Sequence, residues 1–195
     1  MTARGPFTIL VVNPGSTSTK MALYEDDRLL HSHVLRHDPG MLRKFGGIWG
    51  QYEFRLHQIR EWTHASVQQL SAVVGIGGLF RPIPGGTYRV NNRMLDDAHG
   101  NLQGEHASNL GCAMADALAR EYGCEAFVVD PVSVDELEPL ARYSGHPLIQ
   151  RSSLSHALNV HAAARLATDE LQIPLERSSL VVAHLGGGIS IPRAR

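Results

Sequence analysis

The sequence predicts an α/β domain with a mixed β-sheet, and two observations carry that prediction. Three segments with strand character follow one another before the first helical segment. From there on, strand-like and helix-like segments alternate. This order of elements is typical of α/β proteins and suggests a sheet with both parallel and antiparallel neighbours.

The predicted strands at the start of the chain are short and closely spaced. Residues 7–12 form a continuous apolar run with β-branched side chains, as expected of a strand buried on both faces. Residues 20–25 predict a second strand, Asp26 and Asp27 a hairpin turn, and residues 28–35 a third strand.

The middle of the chain introduces helices. Residues 51–70 have helical character with a thin apolar stripe, and residues 71–78 predict a short strand that enters a glycine loop. Prolines and glycines exclude a regular helix over residues 79–87. Residues 107–122 predict a helix that Gly123 ends.

Three further elements complete the prediction. Residues 125–129 predict a strand that ends at Asp130, and residues 154–171 predict a second well-formed helix. Residues 179–185 predict a last strand, which enters a run of three glycines. The first domain is expected to end near residues 130–150.

Composition excludes several classes of function. The chain has 195 residues, of which 43% are hydrophobic and 19% charged, as in ordinary globular proteins. The net charge of −1 comes without a basic block, which argues against a nucleic-acid partner. No apolar run approaches the roughly 20 residues of a membrane span, and the first residues lack a signal-peptide pattern. Cys112 and Cys124 form no CxxC pair, which favours a reducing compartment, so the predicted location is the cytoplasm.

The stretch VNPGSTSTK, residues 12–20, follows the first strand and allows two interpretations. Asn-Pro-Gly-Ser is a good β-turn and needs no further role. Alternatively the stretch holds phosphate, because glycine lets amide groups approach an anion, hydroxyls add donors and Lys20 adds positive charge. It lacks the Walker spacing, so phosphate would bind at a strand–turn–strand hairpin and not at a helix N-terminus.

A faint internal repeat points in the same direction. ILVVNPGSTS near the start resembles LVVAHLGGGIS near the end, and in both an apolar strand stops at a polar residue, Asn13 or His184. The repeat is either a coincidence of two short segments or the mark of two lobes that face each other across a nucleotide.

Six motifs together resemble the acetate and butyrate kinase family, in its butyrate branch. They are LVVNPGSTSTK, GLFRPIPGGTYRVN, GEHASNLG, FVVDPVSVDELEPLARYSG, SHALN and VVAHLGGGIS, and the resemblance runs from about residue 7 to residue 191. It implies the two-lobed actin/hexokinase/Hsp70-type fold, which is related to ribonuclease H. It also implies transfer of the γ-phosphate of ATP, with Mg²⁺, to butyrate or a related short-chain carboxylate, giving an acyl phosphate and ADP.

The resemblance also implies roles for individual residues. The phosphate and metal site would be lined by Asn13, Gly15, Ser16, Ser18 and Lys20, with Asn13 towards the metal. Asp130 and His156 would be catalytic, Asp130 orienting the substrate or the metal ligands and His156 stabilising the transferring phosphoryl group. The second phosphate-binding turn would consist of His184, Gly186, Gly187 and Gly188.

Each of these residues also has a simpler interpretation. Asp130 before a proline is a common turn residue at a strand end, and a histidine on a helix such as His156 is more often packed or exposed than catalytic. His31 and His33 would share a strand face, but no third ligand is near them in the sequence, so no metal site is expected there.

The chain departs from the family pattern in two ways. The family carries an arginine in the VVGxGG loop where this chain has Ile76, and Arg81 is the candidate to replace it. The family is also about twice as long. The sequence therefore predicts a complete first lobe over residues 1–148 and a truncated second lobe over residues 149–195. The last predicted strand would then be an unpaired edge.

Three functional hypotheses stand at this point. The first is a butyrate kinase, of which these residues alone would show little or no activity, and whose full-length relatives would form homo-oligomers. The second is a non-catalytic remnant of such a kinase. The third, a sugar kinase or chaperone-like ATPase of the same fold, is disfavoured because GEHASNLG and HLGGGIS are not expected there.

Overall fold

The computed structural model describes residues 5–185 and 189–194. The chain divides into two compact units. The first unit contains the chain up to Arg81 together with Gly86–Val129, and the second contains Pro82–Gly85 and the chain from Asp130 onward. The lobe boundary predicted at residue 148 stays a prediction.

The first unit opens with three antiparallel strands. Strand β1 (Thr8–Pro14) pairs with β2 (Ser18–Glu25), and β2 pairs with β3 (Arg28–Arg36). Asp26, in the β2–β3 turn, has a left-handed backbone with φ of 52°, which aspartate tolerates better than most residues. The three strands confirm the elements predicted from the sequence, with bounds that differ by one or two residues.

Three more strands extend the sheet beyond β1. They are β4 (Ala72–Gly75), β5 (Thr87–Arg89) and β6 (Glu125–Val129). Strand β4 is parallel to β1, β6 is parallel to β4, and β5 adds an antiparallel edge, so the strand order is β3-β2-β1-β4-β6-β5. The predicted mixed sheet is confirmed.

Among the described residues of this unit the helices are α1 (Pro39–Leu42), α2 (Tyr52–Ser66), α3 (Asn92–His99) and α4 (Leu110–Tyr122). A single 3₁₀ turn precedes α2 and another precedes α4. Gly123 ends α4 in the left-handed conformation, with φ of 65°, as its place in the sequence predicted. Helices α1 and α3 and strand β5 are short and were not predicted from the sequence.

The core of the first unit lies where α2 and α4 pack on the sheet. Its fully buried members come from β1, β2, β4 and both helices, and include Leu10, Val12, Met21, Leu56, Ile59, Val73, Leu110, Met114 and Leu118. Helix α4 lies very close to β4, because a Cβ on Gly75 would come 2.3 Å from the carbonyl oxygen of Gly111. Glycine at position 75 is therefore a packing requirement.

In its described residues, the second unit contains one α-helix, two 3₁₀ turns and three small strand pairs. Strand β7 (Tyr143–His146) pairs with β8 (Ile149–Gln150), and helix α5 covers Ala157–Leu171. Its remaining strands are β9 (Leu180–Val181), β10 (His184–Leu185), β11 (Ile189–Ser190) and β12 (Arg193–Ala194), in the pairs β9–β12 and β10–β11. Its apolar cluster is small, with Val160 and Ala164 packed against Leu175, Leu180 and Val182.

The single strand predicted over residues 179–185 is wrong. The segment contains two separate two-residue strands, and each pairs with a nearby partner from residues 189–194. The expected unpaired edge is corrected in the same way, since β9 has β12 as its neighbour. Among the helices of the described residues, none is both long and apolar enough to cross a bilayer.

Candidate functional site

The β1–β2 turn brings five of the predicted site residues into one hairpin. Asn13 lies near the end of β1, directly across the ladder from Lys20 of β2. The amide of Gly15 donates to the carbonyl oxygen of Ser18 at 2.7 Å, which closes the turn. The side chains of Ser16 and Lys20 are exposed, so a hydroxyl and an ammonium group are available at its surface.

A buried arginine of α2 lies against this turn. Arg55 is 0% exposed, and its Nη1 donates to the carbonyl oxygens of Gly15 at 2.9 Å and Ser18 at 3.2 Å. Its Nη2 donates to the carbonyl oxygen of Ser16 at 3.2 Å. The other edge of the guanidinium, Nε and Nη2, donates to Oε1 of Gln51 at 3.1 and 2.8 Å.

Thr19 and His37 complete the network around Arg55. Nη1 of Arg55 donates to Oγ1 of Thr19 at 3.1 Å, and the same hydroxyl lies 2.9 Å from Nε2 of His37. Burial, together with the charge of Arg55, lowers the pKa of His37 to about 4, so the imidazole is neutral at pH 7. One hydrogen bond joins the Thr19 hydroxyl to Nε2 of His37, and its direction depends on the tautomer of the neutral ring. Nδ1 of His37 is buried and has no hydrogen-bond partner among the described residues.

The second unit holds a polar cluster around Asp130. The side chain of Asp130 is only 5% exposed, and its Oδ2 lies 2.8 Å from Nδ1 of His161 on α5. Asp130 has a left-handed backbone with φ of 39°. Such backbone conformations cost energy in residues other than glycine and are concentrated at functional sites.

Glu136 and Gly85 lie in the same cluster. Oε1 of Glu136 accepts a hydrogen bond from the amide of Gly85 at 2.7 Å, and Oε2 lies 4.0 Å from Nε2 of His161. A Cβ at position 85 would come within 3.3 Å of Asp130, Glu136 and His161 alike. Glycine therefore leaves the space in which the two acids and the imidazole meet.

His156 and His184 are also brought together within the second unit. Their rings stack with centroids 4.2 Å apart and an angle of 19° between planes. His156 is the residue before α5, where the positive end of the helix dipole favours anions. Gly186, Gly187 and Gly188, which the sequence placed in the second phosphate turn, lie outside the described residues.

Arg81, the candidate to replace the family arginine at Ile76, is engaged elsewhere. Its guanidinium binds both carboxylate oxygens of Asp97, with Nε 2.7 Å from Oδ2, and its amide donates to Oδ2 at 3.1 Å. These hydrogen bonds hold the pKa of Asp97 below its usual range. Arg81 therefore ties its loop to α3 within the first unit.

Possible metal ligands are present in the described part of the chain, but not in groups of three. Over residues 5–185 and 189–194, no three His, Cys, Asp or Glu side chains are grouped so that they could hold an ion. Asn13, the predicted metal residue, lies half-buried at the end of β1.

Three residues of these clusters escaped the sequence analysis. Arg55 and His161 gave no separate signal, because the polar residues of an amphipathic helix usually lie on its exposed face. Glu136 was included only in a motif that pointed to the family. Their importance comes from hydrogen bonds that span 31 to 51 residues of sequence, which no local pattern reports.

Curated proteins similar to this chain confirm the resemblance to butyrate kinases. A probable butyrate kinase of Listeria innocua is 47% identical over 192 residues, which are 97% of this chain and 54% of that protein. Butyrate kinase 2 of Clostridium acetobutylicum is 45% identical over 95% of this chain and 53% of its own length. A probable butyrate kinase of Enterococcus faecalis is 50% identical over 94% of this chain and 51% of its own length. The chain spans about half the length of the curated relatives it matches.

Solved structures show the fold. An acetate kinase of Porphyromonas gingivalis superposes with a TM-score of 0.66 at 16% identity, over 96% of this chain and 54% of that chain. A propionate kinase of Francisella tularensis superposes with a TM-score of 0.60 at 18% identity, over 95% of this chain and 54% of that chain. The predicted fold class is confirmed over the matched half. No protein-family profile matches the chain.

Proposed function

We propose that this chain supplies the phosphate-binding half of a carboxylate kinase that transfers the γ-phosphate of ATP to butyrate or a close relative. The observation that carries the proposal is the identity of 45–50% to butyrate kinases over nearly the whole chain. The organisation of the β1–β2 turn supports it, since the residues that would bind phosphate are donors or cations.

The β1–β2 turn would hold the phosphate tail of ATP. Phosphoryl transfer requires mainly correct positioning and positive charge or hydrogen-bond donors around the phosphate oxygens. The hydroxyls of Ser16 and Ser18 and the ammonium group of Lys20 are of that type. Ser18 and Lys20 lie on strand β2, and Ser16 lies in the turn that joins the paired strands, which is a more rigid support than a free loop.

Two clusters of the second unit would serve the reacting groups. The stacked rings of His156 and His184 would donate hydrogen bonds to phosphate oxygens at the start of α5. Asp130 would orient the substrate or the metal ligands, and His161 would hold the carboxylate of Asp130 in a single orientation. Butyrate is already an anionic nucleophile, so no residue has to act as a strong general base.

Mg²⁺ would be bound largely through the nucleotide. In kinases this ion commonly takes phosphate oxygens and few protein ligands. When bound, it neutralises charge on the phosphates. Asn13 would add a side-chain oxygen. A cytoplasmic location and self-association of longer relatives stay predictions.

The first experiment is a hydroxylamine assay for acyl phosphate with this chain, ATP, Mg²⁺ and butyrate. We expect turnover at least about a thousandfold below that of butyrate kinase 2 of Clostridium acetobutylicum, because groups that stabilise the transferred phosphoryl are commonly worth that much or more. Turnover comparable to the relative would refute the view that these residues supply only part of the machinery.

A chimera then tests whether the residues encode a competent half. This chain replaces the matched half of the Clostridium enzyme, and a control chimera carries the equivalent half of the Listeria innocua protein. We expect both chimeras to form butyryl phosphate. A folded but inactive chimera beside an active control would favour the alternative, a non-catalytic remnant of such a kinase.

A further inference from the structure

The carbonyl groups of the β1–β2 turn are all directed into the first unit. Those of Gly15, Ser16 and Ser18 accept hydrogen bonds from the guanidinium of Arg55. The carbonyl oxygen of Thr17 accepts one from the amide of His37 at 2.9 Å. Four consecutive carbonyl oxygens, the groups that would repel an anion, are therefore engaged inside the protein.

The amide hydrogens of the same peptide groups point the other way. The described chain contains no cis peptide bond, and in a trans peptide the C=O and N–H vectors are opposed. Since the carbonyls of Gly15 and Ser16 point to Arg55, the N–H groups of Ser16 and Thr17 point away from it. No hydrogen bond within the described residues uses these two N–H groups, and both residues are exposed. Adjacent outward N–H groups of this kind form anion-binding concavities.

The charge of Arg55 acts in the same sense. A guanidinium stays protonated in proteins, although burial lowers the pKa of Arg55. Within the described residues no carboxylate lies at ion-pair distance from it, whereas Arg28, Arg60, Arg81, Arg89, Arg120 and Arg142 each have one. Burying a cation without a counter-charge is costly, and here neutral oxygen atoms alone satisfy its five N–H donors. The turn therefore lies over a positive charge that no acid of the described chain neutralises.

We propose that Arg55 is a positioning residue that makes the β1–β2 turn an anion receptor for the phosphate tail. It holds the carbonyls inward, so that the N–H groups of Ser16 and Thr17 face the anion. Its positive charge, on the inner side of the turn, attracts that anion. Arg55 does not touch the phosphate. The inference rests on the proposed function for the identity of the ligand, but the orientation of the turn can be measured without any ligand.

The position of Arg55 on α2 explains how the turn is held still. Gln51 lies one helical turn before Arg55, on the same face, and binds its far edge. Leu56 and Ile59 of the same helix are fully buried in the core of the first unit. The turn is thereby fastened to a core helix through one side chain.

The experiment follows the amide signals of Ser16 and Thr17 by ¹⁵N–¹H NMR during a titration with inorganic tripolyphosphate. The full chain is compared with Arg55→Gln, Arg55→Lys and Leu118→Ala. The last is the matched control, because it removes a fully buried side chain from α4 without touching the turn. We expect tripolyphosphate to move both signals in the wild-type chain and in the control.

For Arg55→Gln we expect a dissociation constant raised about tenfold or more, and displaced Ser16 and Thr17 signals even without anion. Arg55→Lys keeps the charge but has three donors on one nitrogen in place of the five donors of the planar guanidinium, so it cannot bind the three carbonyls, Thr19 and Gln51 together. It should therefore displace the same signals and recover only part of the affinity. An Arg55→Gln protein that is folded, has wild-type turn signals and binds as tightly as the control overturns the inference.

The failure of the proposed function has a different signature. If the wild-type chain does not bind tripolyphosphate but Arg55→Gln still displaces the turn signals, Arg55 positions the turn and the phosphate site is refuted. If the Arg55 variants do not fold, Gln51→Leu replaces them, since it frees the far edge of the guanidinium and leaves Arg55 in place. Gln51→Leu should displace the same signals and weaken binding, and wild-type behaviour would again overturn the inference.

Discussion

Replacement of His37 by glutamine should remove a large part of the acid sensitivity of the first unit. The imidazole of His37 is 4% exposed, and its pKa is lowered from 6.5 to about 4 by burial and by the charge of Arg55. The unfolded chain binds a proton at this position near pH 6.5, whereas the folded chain does so only near pH 4. The free energy of unfolding therefore decreases as the pH falls through this window, and His37 does not change it above about pH 7.5.

The magnitude follows from the difference between the two pKa values. For a histidine that titrates at 6.5 when unfolded and about 4 when folded, the loss is about 1 kcal/mol at pH 6 and about 2 kcal/mol at pH 5. It approaches about 3 kcal/mol below pH 4. Since a small domain has a free energy of unfolding of about 5–15 kcal/mol, such a loss is easily measured.

The assay is urea unfolding followed by circular dichroism at pH 7.5, 6 and 5, for the wild type and His37→Gln. When the free energies of unfolding of the two proteins are subtracted, the contributions of the other histidines cancel. Glutamine keeps a hydrogen-bond acceptor near Thr19. The free energy of unfolding of His37→Gln minus that of the wild type should rise by about 2 kcal/mol when the pH is lowered from 7.5 to 5. His31→Gln, an exposed substitution on β3, should follow the wild type. A wild-type minus His37→Gln difference that is constant from pH 7.5 to pH 5 would falsify this reasoning.

Three further predictions concern packing, the Asp130 cluster and a thiol. Gly75→Ala should lower the free energy of unfolding by about 2 kcal/mol or more, because its Cβ would lie 2.3 Å from the carbonyl oxygen of Gly111. His161→Phe should lower it by about 2 kcal/mol, since the buried carboxylate of Asp130 loses a hydrogen bond, and His161→Gln should recover part of the loss. Cys112 is fully buried and burial raises its pKa to about 12, so its reaction with Ellman's reagent should occur only when the chain unfolds.

Each of these three measurements has its own control. Gly46→Ala, at a site with no atom within 4 Å of the added methyl group, should be near neutral in the same urea titration. Equal losses for His161→Phe and His161→Gln would mean that His161 contributes bulk and no hydrogen bond. Rapid labelling of Cys112 in the native protein, monitored in Cys124→Ser, would contradict the buried position of its thiol.

Much of the first unit could be predicted because its patterns are local. The apolar run that became β1, the alternation that became β2 and Gly123 at the end of α4 reflect steric and hydrogen-bond preferences of neighbouring residues. The helices α1 and α3 could not be predicted in this way, because four or eight residues give too few turns for a periodic signal. The last predicted strand failed because strand propensity does not specify a partner.

The candidate site divides in a similar way. Motif resemblance predicted roles for the turn residues, Asp130, His156 and His184, and the structure places the rings of the last two in contact. Arg55 and His161 could not be predicted, because the contacts that join Arg55 to the turn and His161 to Asp130 span 31 or more residues of sequence. Arg81 was proposed as a ligand-binding arginine, but its carboxylate partner Asp97 is a tertiary neighbour.

By itself the sequence determined the order of strands and helices, the mixed character of the sheet and the kinase-like motifs, since all of these are written in residue type and short-range spacing. Only the tertiary structure decided which polar side chains are buried and what they bind. The physical reason is that a buried charge such as Arg55 is tolerated only if the fold supplies oxygen atoms from distant residues. Three of the oxygen atoms that Arg55 binds belong to the backbone of Gly15, Ser16 and Ser18, and residue type does not reveal the position of the backbone.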